Sequence, residues 1–152
     1  MAARTPVQRL DGFLTYRLHQ VNKITDKASA DAYAEMFGLP VGEARCLAAI
    51  GNFAPLSVNQ LAARANLDKA QASRAAQALV DRGLVAKEAS AADARGVVLD
   101  LTAPGRRLWT RVMRLIAQRN EEIFGCLTAA EQRQLAMLLD RVLDHARPGA
   151  RA

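Results

Sequence analysis

The segment from Ser57 to Gly105 constrains the fold of this chain more than any other part of the sequence. Ser57 is followed three residues later by Gln60, and Asp68 is followed in the same way by Gln71. This spacing is typical of a capping box, in which two side chains bond reciprocally to backbone N–H groups at the start of a helix. The sequence therefore predicts two helices that begin in close succession.

The two predicted helices are short, and a β-hairpin follows them. The first is expected to end near Ala65 before a turn at residues 66–67, and the second to end at Gly83, which suits a left-handed C-terminal cap. Alternating apolar and polar residues then predict strands at 84–89 and 96–101, joined by a small, polar and charged loop. Helix, turn, helix and hairpin in this order are typical of a winged helix-turn-helix.

The composition favours a mainly helical protein with a polyanionic partner. The chain has 152 residues, of which 51% are hydrophobic and 5% aromatic, so it can bury a core. The net charge of +6 at pH 7 suits nucleic acid, although many basic proteins bind none. No apolar run approaches the roughly 18 residues of a membrane span, and residues 1–9 lack the apolar core of a signal peptide. We therefore expect a cytoplasmic protein that has no contact with a membrane.

Apolar residues at helical spacing predict four further helices, over about residues 7–36, 41–52, 103–124 and 129–146. Gly38 and Pro40 are expected to end the first of them. Thr102 is expected to cap the third of them, and Thr128 and Glu131 are expected to form a capping box at the start of the fourth. The first helix and the last two carry wide apolar stripes that the central segment is too small to cover, so we expect them to pack on one another and on a second subunit. The predicted fold is mainly α with a small β-hairpin wing, in one intertwined domain with a helical dimerisation region at 1–40 and 103–152 and a winged helix-turn-helix at 41–102.

The second short helix would present two different faces. At about 100° per residue, Ala72, Ala76 and Leu79 share an apolar face that suits close packing on the first short helix. The opposite side carries side chains of the types that recognise base edges in the major groove, namely Lys69, Gln71, Ser73, Arg74 and Gln77. Each of them alone fits an ordinary solvated helix face, but the capped helices, the glycine stop and the basic hairpin around them favour DNA recognition.

The predicted hairpin carries two charged residues near its tip. Arg95 on a narrow hairpin can enter a minor groove, where the negative potential of DNA is concentrated. Asp93 lies two residues earlier and is expected either to hold the Arg95 guanidinium or to brace the loop. The alternative is a surface ion pair that contributes little.

The chain resembles the MarR family of bacterial transcription regulators over about residues 10–143. The most specific match is the hairpin and its exit, Asp93-x-Arg95-x5-Leu101-Thr102-x2-Gly105. Supporting matches are Gly38-Leu39, Leu61-Ala62, Ser73-Arg74, Gly83-Leu84-Val85 and Leu127-Thr128-x2-Glu131. Lys87 departs from the family, which usually has Arg there, and a lysine can bind a phosphate but lacks the planar bidentate fork.

The resemblance implies an intertwined homodimer on double-stranded DNA with a pseudo-palindromic operator. Each half-site would contact one recognition helix, about one helical turn from the other. Most such proteins repress transcription, and small aromatic or anionic effectors often release them. We therefore expect DNA contacts from the recognition helix and from four residues around it, Ser57, Lys87, Asp93 and Arg95.

An effector site is predicted from one side chain on the first helix. Arg17 interrupts the apolar stripe, which is costly for a charge without a partner. The resemblance implies a cleft between the dimerisation helices and the winged unit, where Arg17 would clamp a carboxylate and Phe13, Phe53 or Trp109 would wall a flat ring. Arg45, amid apolar residues of the second helix, is a similar candidate. The alternative is an Arg17 that pairs with an acid, within or between subunits, or that extends to water.

No cofactor and no metal site are expected, because His19 and His145 are far apart and no Cys/His cluster is present. Cys46 and Cys126 are expected to be small apolar fillers. Two other classes of protein remain open. One is a helical interaction module without sequence-specific DNA binding, whose basic face binds an acidic protein. The other is an enzyme, although no nucleophile–base pair, phosphate loop or paired carboxylates appear at a useful spacing.

Overall fold

The computed structural model describes residues 7–93 and 95–149, and the chain divides into two units between Arg114 and Leu115. The elements are α1 Leu14–Phe37, α2 Val41–Phe53, α3 Val58–Ala65, α4 Lys69–Asp81, β1 Val85–Ala89, β2 Val97–Leu101, α5 Ala103–Phe124 and α6 Ala129–Ala146. Their types and order confirm the predicted fold class, mainly helical with one hairpin. The outer ends of the predicted dimerisation region, residues 1–6 and 150–152, lie outside the described residues.

The first helix begins later than the sequence predicted. Leu10–Gly12 forms a single 3-10 turn, and Phe13 is extended at φ −80° and ψ 143°, so α1 starts at Leu14. The prediction of a continuous helix from about residue 7 was therefore wrong. Glycine is a poor helix former because it loses the most backbone entropy, and Gly12 lies at the break. The other end of α1 is as predicted, with Gly38 in the left-handed conformation at φ 61°.

All three predicted capping boxes are formed. At α3, the Ser57 hydroxyl accepts from the Gln60 N–H at 3.1 Å, and the Gln60 Oε1 accepts from the Ser57 N–H at 2.9 Å. At α4, the Gln71 N–H donates to the Asp68 carboxylate at 2.7 Å. A third box, at Thr128, starts α6. Each box satisfies N–H groups that the first turn of a helix leaves unpaired, so these helices begin at defined residues.

The winged helix-turn-helix is held by an apolar core between α2, α3, α4 and the hairpin. Its fully buried side chains include Leu47, Ile50, Leu61, Leu79 and Leu99. On α4 the predicted apolar face is confirmed, since Ala72, Ala76 and Leu79 are at most 1% exposed. Small alanine side chains allow α4 to approach its neighbours closely, which fixes the direction of its opposite face.

The wing is a two-stranded antiparallel sheet with a short extension. β1 pairs with β2 in the register Val85 to Leu101 and Lys87 to Leu99. Leu56, just before α3, also exchanges two backbone hydrogen bonds with Leu99, at 2.7 and 3.2 Å. The sequence analysis missed this bridge because a single paired residue has no periodic signal. The bridge anchors the base of the wing to the start of α3.

Thr102 and Gly105 join the end of the wing to α5. The Thr102 hydroxyl donates to the Gly83 carbonyl at 2.6 Å and accepts from the Gly105 N–H at 3.1 Å. A Cβ at Gly105 would collide with the Leu84 carbonyl. One hydroxyl therefore connects the end of α4, the end of β2 and the start of α5, and this explains the spacing of Thr102 and Gly105 in the sequence.

Two helices keep their apolar stripes exposed in the single chain. On α1 the stripe consists of Leu14, Leu18, Val21 and Ile24, and on α6 of Met137, Leu138, Leu139, Val142 and Leu143. Exposed apolar area of this extent is typical of a surface that another subunit covers. No helix in the described residues is long and apolar enough to cross a membrane.

Candidate nucleic-acid interface

Helix α4 presents its predicted polar face to solvent. The five predicted side chains are all exposed on the described surface, namely Lys69, Gln71, Ser73, Arg74 and Gln77. They lie opposite the buried alanine face, because the capping box at Asp68 and the core contacts of Leu79 fix the rotation of the helix. The structure therefore brings them together on one convex, solvent-facing surface.

Two of these side chains are already bonded within the protein. The Gln71 Oε1 accepts a hydrogen bond from the Asp68 N–H at 3.2 Å, so the cap occupies the acceptor end of this amide. The Gln77 Oε1 accepts from the Lys87 Nζ at 2.6 Å, and its Nε2 donates to the Asp81 carboxylate at 2.8 Å. A bidentate contact to adenine uses both ends of an amide, so Gln77 is not free to make one as it stands, and Gln71 would have to share the oxygen that accepts at the cap.

The tip of the wing is braced by Asp93. Its Oδ1 accepts from the Arg95 N–H at 3.0 Å, and its carbonyl accepts from the Gly96 N–H at 2.9 Å. Asp93 thus braces the loop, which was one of the two predicted alternatives. No ion pair in the described part of the chain joins its carboxylate to the Arg95 guanidinium, and Arg95 is exposed at the tip.

A second brace of the wing tip was missed by the sequence analysis. The Ser90 hydroxyl accepts from the backbone N–H groups of Ala92 and Asp93, each at 3.3 Å. A serine at the start of a polar loop is a known signal for such a turn. Together the two braces hold the loop that carries Arg95.

Ser57 and Lys87 lie outside α4, at the start of α3 and on β1. The Ser57 hydroxyl is bonded to the start of α3, so its contribution there is the helix cap. Lys87 is exposed on β1 and reaches α4 through Gln77.

A clamp at the end of α4 was also missed. Two guanidinium nitrogens of Arg82 each donate to the Gly38 carbonyl at 3.3 Å, and its Nε lies 3.5 Å from the Glu43 carboxylate. The clamp joins Arg82, the residue that follows α4, to the junction of α1 and α2. No sequence pattern predicts it, because its members are far apart along the chain.

An open cleft of about 500 Å³ lies between α1, α2 and the end of α3. It is lined by Asn22, Asp26, Arg45, Ala48, Ala49, Asn52, Phe53, Arg64, Ala65 and Asn66. In this cleft the Arg45 guanidinium lies 3.0 Å from the Asp26 carboxylate, and the Arg64 guanidinium stacks 4.2 Å from the centre of the Phe53 ring. A cation and an aromatic face therefore line the same opening.

The predicted effector residues do not all lie together in the single chain. Arg45 and Phe53 line the cleft, whereas Phe13, Arg17 and Trp109 do not. Arg17 donates to the Gly12 carbonyl at 3.1 Å and extends into solvent. The half-buried Trp109 donates to the Ala48 carbonyl at 3.2 Å. Asp26 and Arg64 were missed because each belongs to a helix whose approach to α2 the sequence does not reveal.

The two cysteines differ in their surroundings. Cys46 is fully buried in α2, and this burial, together with the nearby charge of Glu43, raises the pKa of its thiol to about 11. The filler prediction is confirmed for Cys46 but was wrong for Cys126, which is exposed after the end of α5. Within the described residues no group of three or more His, Cys, Asp or Glu side chains could hold a metal ion.

The sequence is similar to that of known transcription regulators. A model of the MarR family matches residues 37–96, which span α2, α3, α4 and most of the wing. The HTH-type transcriptional repressor Rv2887 of Mycobacterium tuberculosis is 28% identical over 132 residues, covering 87% of this chain and 94% of the relative.

Solved structures show the same fold. A MarR family transcriptional regulator from Silicibacter pomeroyi superposes with a TM-score of 0.79 at 27% identity, covering 89% of this chain and 88% of the other. Rv2887 in complex with salicylic acid superposes with a TM-score of 0.70 at 28% identity, covering 88% of this chain and 98% of the other. The similarity therefore extends beyond the winged segment to the flanking helices.

Proposed function

We propose that this chain is a transcriptional regulator of the MarR family that represses transcription as a homodimer on a pseudo-palindromic DNA operator and is released by a small aromatic carboxylate. Regulators rather than enzymes make up this family, and we assign no catalytic step to the chain. We infer that the protein acts in the bacterial cytoplasm, because the DNA that it would bind is there.

The observation that carries this proposal is the exposed face of α4 beside a braced, arginine-tipped wing. A helix with its apolar side buried and its cationic and amide side chains outward matches the width of the major groove. In the proposed complex Arg74, Ser73 and Lys69 contact base edges, and Arg95 enters the adjacent minor groove. Ser57, Gln71 and Lys87 lie towards the phosphates.

The proposed effector is a flat aromatic carboxylate in the cleft between α1, α2 and α3. Arg45 would pair with its carboxylate in place of Asp26, and Phe53 would contact its ring. Rv2887, whose structure contains salicylic acid, supports this class of ligand. Phe13, Arg17 and Trp109 do not line this cleft in the single chain. They remain proposed contacts of the effector in a site that a second subunit completes.

Selection from a genomic DNA library at two salt concentrations, followed by sequencing, tests the proposal. We expect an enriched inverted repeat whose half-sites are about one helical turn apart, and an affinity that falls steeply with salt because phosphate contacts release counterions. Weak binding to all sequences that disappears at the higher salt would contradict the proposal and favour the protein-interaction module.

Effector release is tested separately with salicylate on the selected operator. We expect it to weaken operator binding by the wild-type protein but not by an Arg45→Gln variant. An unchanged response of that variant would remove Arg45 from the effector site and leave the DNA-binding proposal intact.

A further inference from the structure

One chain of side-chain contacts joins the recognition helix to the wing. The Lys87 Nζ on β1 donates to the Gln77 Oε1 at 2.6 Å, and the Gln77 Nε2 donates to the Asp81 carboxylate at 2.8 Å. Gln77 and Asp81 are one turn apart on α4. We call these three residues the helix–wing clasp.

The charges at the two ends of the clasp fix the amide of Gln77 in one orientation. Its oxygen faces an ammonium group and its NH₂ faces a carboxylate, so both hydrogen bonds are assisted by a charge. A reversed amide would place donor against donor and acceptor against acceptor. Both ends of the Gln77 amide are therefore occupied by hydrogen bonds within the protein, so the amide is not free to bond a base.

The clasp lies at the point where the wing leaves the protein core. Lys87 is paired in the sheet with Leu99, which is fully buried and hydrogen-bonded to Leu56. The next residues of β2 towards the tip are Val98, which is half-buried, and Val97, which is 48% exposed. A contact at Lys87 therefore acts on the base of the projecting hairpin, where a small rotation moves the tip most.

We propose that Gln77 is a positioning residue that sets the direction of the wing relative to the recognition helix and does not itself recognise a base. The inference rests on the proposed DNA-binding function. By holding Lys87, Gln77 fixes the spacing between the bases that α4 contacts and the minor groove that Arg95 enters. It thereby contributes to operator affinity through the geometry of the wing and not through discrimination between bases.

A double-mutant comparison of Gln77→Met and Lys87→Met tests the clasp. Methionine keeps the length and helix propensity of glutamine but removes both hydrogen bonds. Lys23→Met removes one positive charge from an exposed position of α1 and controls for the loss of charge. The measurements are affinity for the operator and for single-base variants of it, with hydroxyl-radical protection of the bound DNA.

We expect Gln77→Met to weaken operator binding by roughly tenfold, the effect of losing the charge-assisted hydrogen bond to Lys87 that holds the wing. The loss of affinity should be equal for the operator and for all its single-base variants. Hydroxyl-radical protection of the DNA should weaken only where the wing contacts it. The double variant should bind no more weakly than Lys87→Met. Relaxed preference at one base pair with intact wing protection would show that Gln77 contacts a base. Additive losses would also overturn the clasp.

Hydrogen exchange of the free protein separates this inference from the proposed function. We expect Gln77→Met to accelerate hydrogen exchange of the backbone amides of β2, and this result does not depend on what the protein binds. Unchanged exchange would contradict the role assigned to the helix–wing clasp. A wild-type protein without operator preference would instead contradict the proposed function alone.

Discussion

Individual side chains on α4 differ in how free they are to contact DNA. Gln71 and Gln77 are held by intramolecular hydrogen bonds, whereas Arg74 lies between them on the exposed face and also borders a shallow groove against the start of α2. An arginine can make a bidentate contact to guanine, which is the commonest specific contact in protein–DNA complexes. Arg74 is therefore the residue whose loss should most affect operator preference.

Arg74→Ala should reduce the preference for operator over random DNA by about 1–3 kcal/mol. The measurement is the ratio of the two dissociation constants at one salt concentration. Arg133→Ala, which removes the same charge from an exposed position of α6, is the matched control and should leave the ratio unchanged. An unchanged ratio in Arg74→Ala would contradict the assigned role.

The two thiols should differ in reactivity at pH 8. Cys46 stays neutral because burial raises its pKa to about 11, so a thiolate-directed reagent should label Cys126 and spare Cys46. Mass spectrometry of the native protein checks this, with Cys126→Ser as the control. Because the folded pKa lies above the unfolded value of 9.0, the stability contributed by this group is present below pH 9 and is lost towards pH 11. Rapid labelling of Cys46 under native conditions would contradict its burial.

At the scale of elements, the wing depends on contacts at its tip and at its base. The tip is shaped by the side chains of Ser90 and Asp93, and the base is tied to Leu56 and to Thr102. These contacts are local, so a change in one of them should alter the wing without unfolding the helical core.

Arg95→Ala should weaken DNA binding without affecting folding, because the side chain is exposed and the loop is held by the backbone contacts of Asp93. Binding titrations and thermal denaturation together check this expectation. Full affinity in Arg95→Ala would remove the wing from the DNA interface.

Gly105→Ala should destabilise the protein by about 1–3 kcal/mol, since the added methyl group meets the Leu84 carbonyl at a packed junction. Gly42→Ala on α2 is the matched control, because a Cβ at Gly42 meets no atom within 4 Å. In a helix that second change should be neutral or stabilising, by up to about 1 kcal/mol. Chemical denaturation of both variants measures the difference, and equal stabilities would show that the junction tolerates a side chain.

The sequence predicted elements whose signals are local. Capping boxes at Ser57, Asp68 and Thr128 gave correct helix starts, because the residues that form a box are three positions apart. The start of α1 was missed because its apolar spacing continues through Gly12 although the backbone does not remain helical.

The candidate site was less predictable, since its geometry depends on contacts between distant elements. The exposed face of α4 follows from helical periodicity alone. The pairing of Lys87 with Gln77, and of Arg45 with Asp26, depends on how a strand or a helix approaches its neighbour, which no local pattern encodes.

At the scale of the whole molecule, the exposed stripes of α1 and α6 explain why a single chain is incomplete. Their apolar side chains would be costly to leave in water, and an intertwined homodimer would cover them. Because each subunit carries one α4, the same interface would bring two recognition helices to one operator.

Val142→Asp on α6 should dissociate the dimer, because this valine is 60% exposed in the single chain and would be buried between subunits. Analytical ultracentrifugation measures the change, and operator binding should fall in parallel. Gln134→Asp, at an exposed polar position of the same helix, adds one negative charge and is the matched control. A dimer that persists in Val142→Asp would exclude this part of α6 from the interface.

The ion pair between Arg45 and Asp26 would act as a tethered competitor in the proposed effector cleft. A carboxylate on the same chain is present at a constant effective concentration, so a free carboxylate that displaces Asp26 from Arg45 would bind with an apparent affinity lowered by a constant factor. The strength of one intramolecular ion pair would then adjust the dose at which the operator is released. This dose would change with substitutions at Asp26 alone, while the exposed face of α4 stays the same.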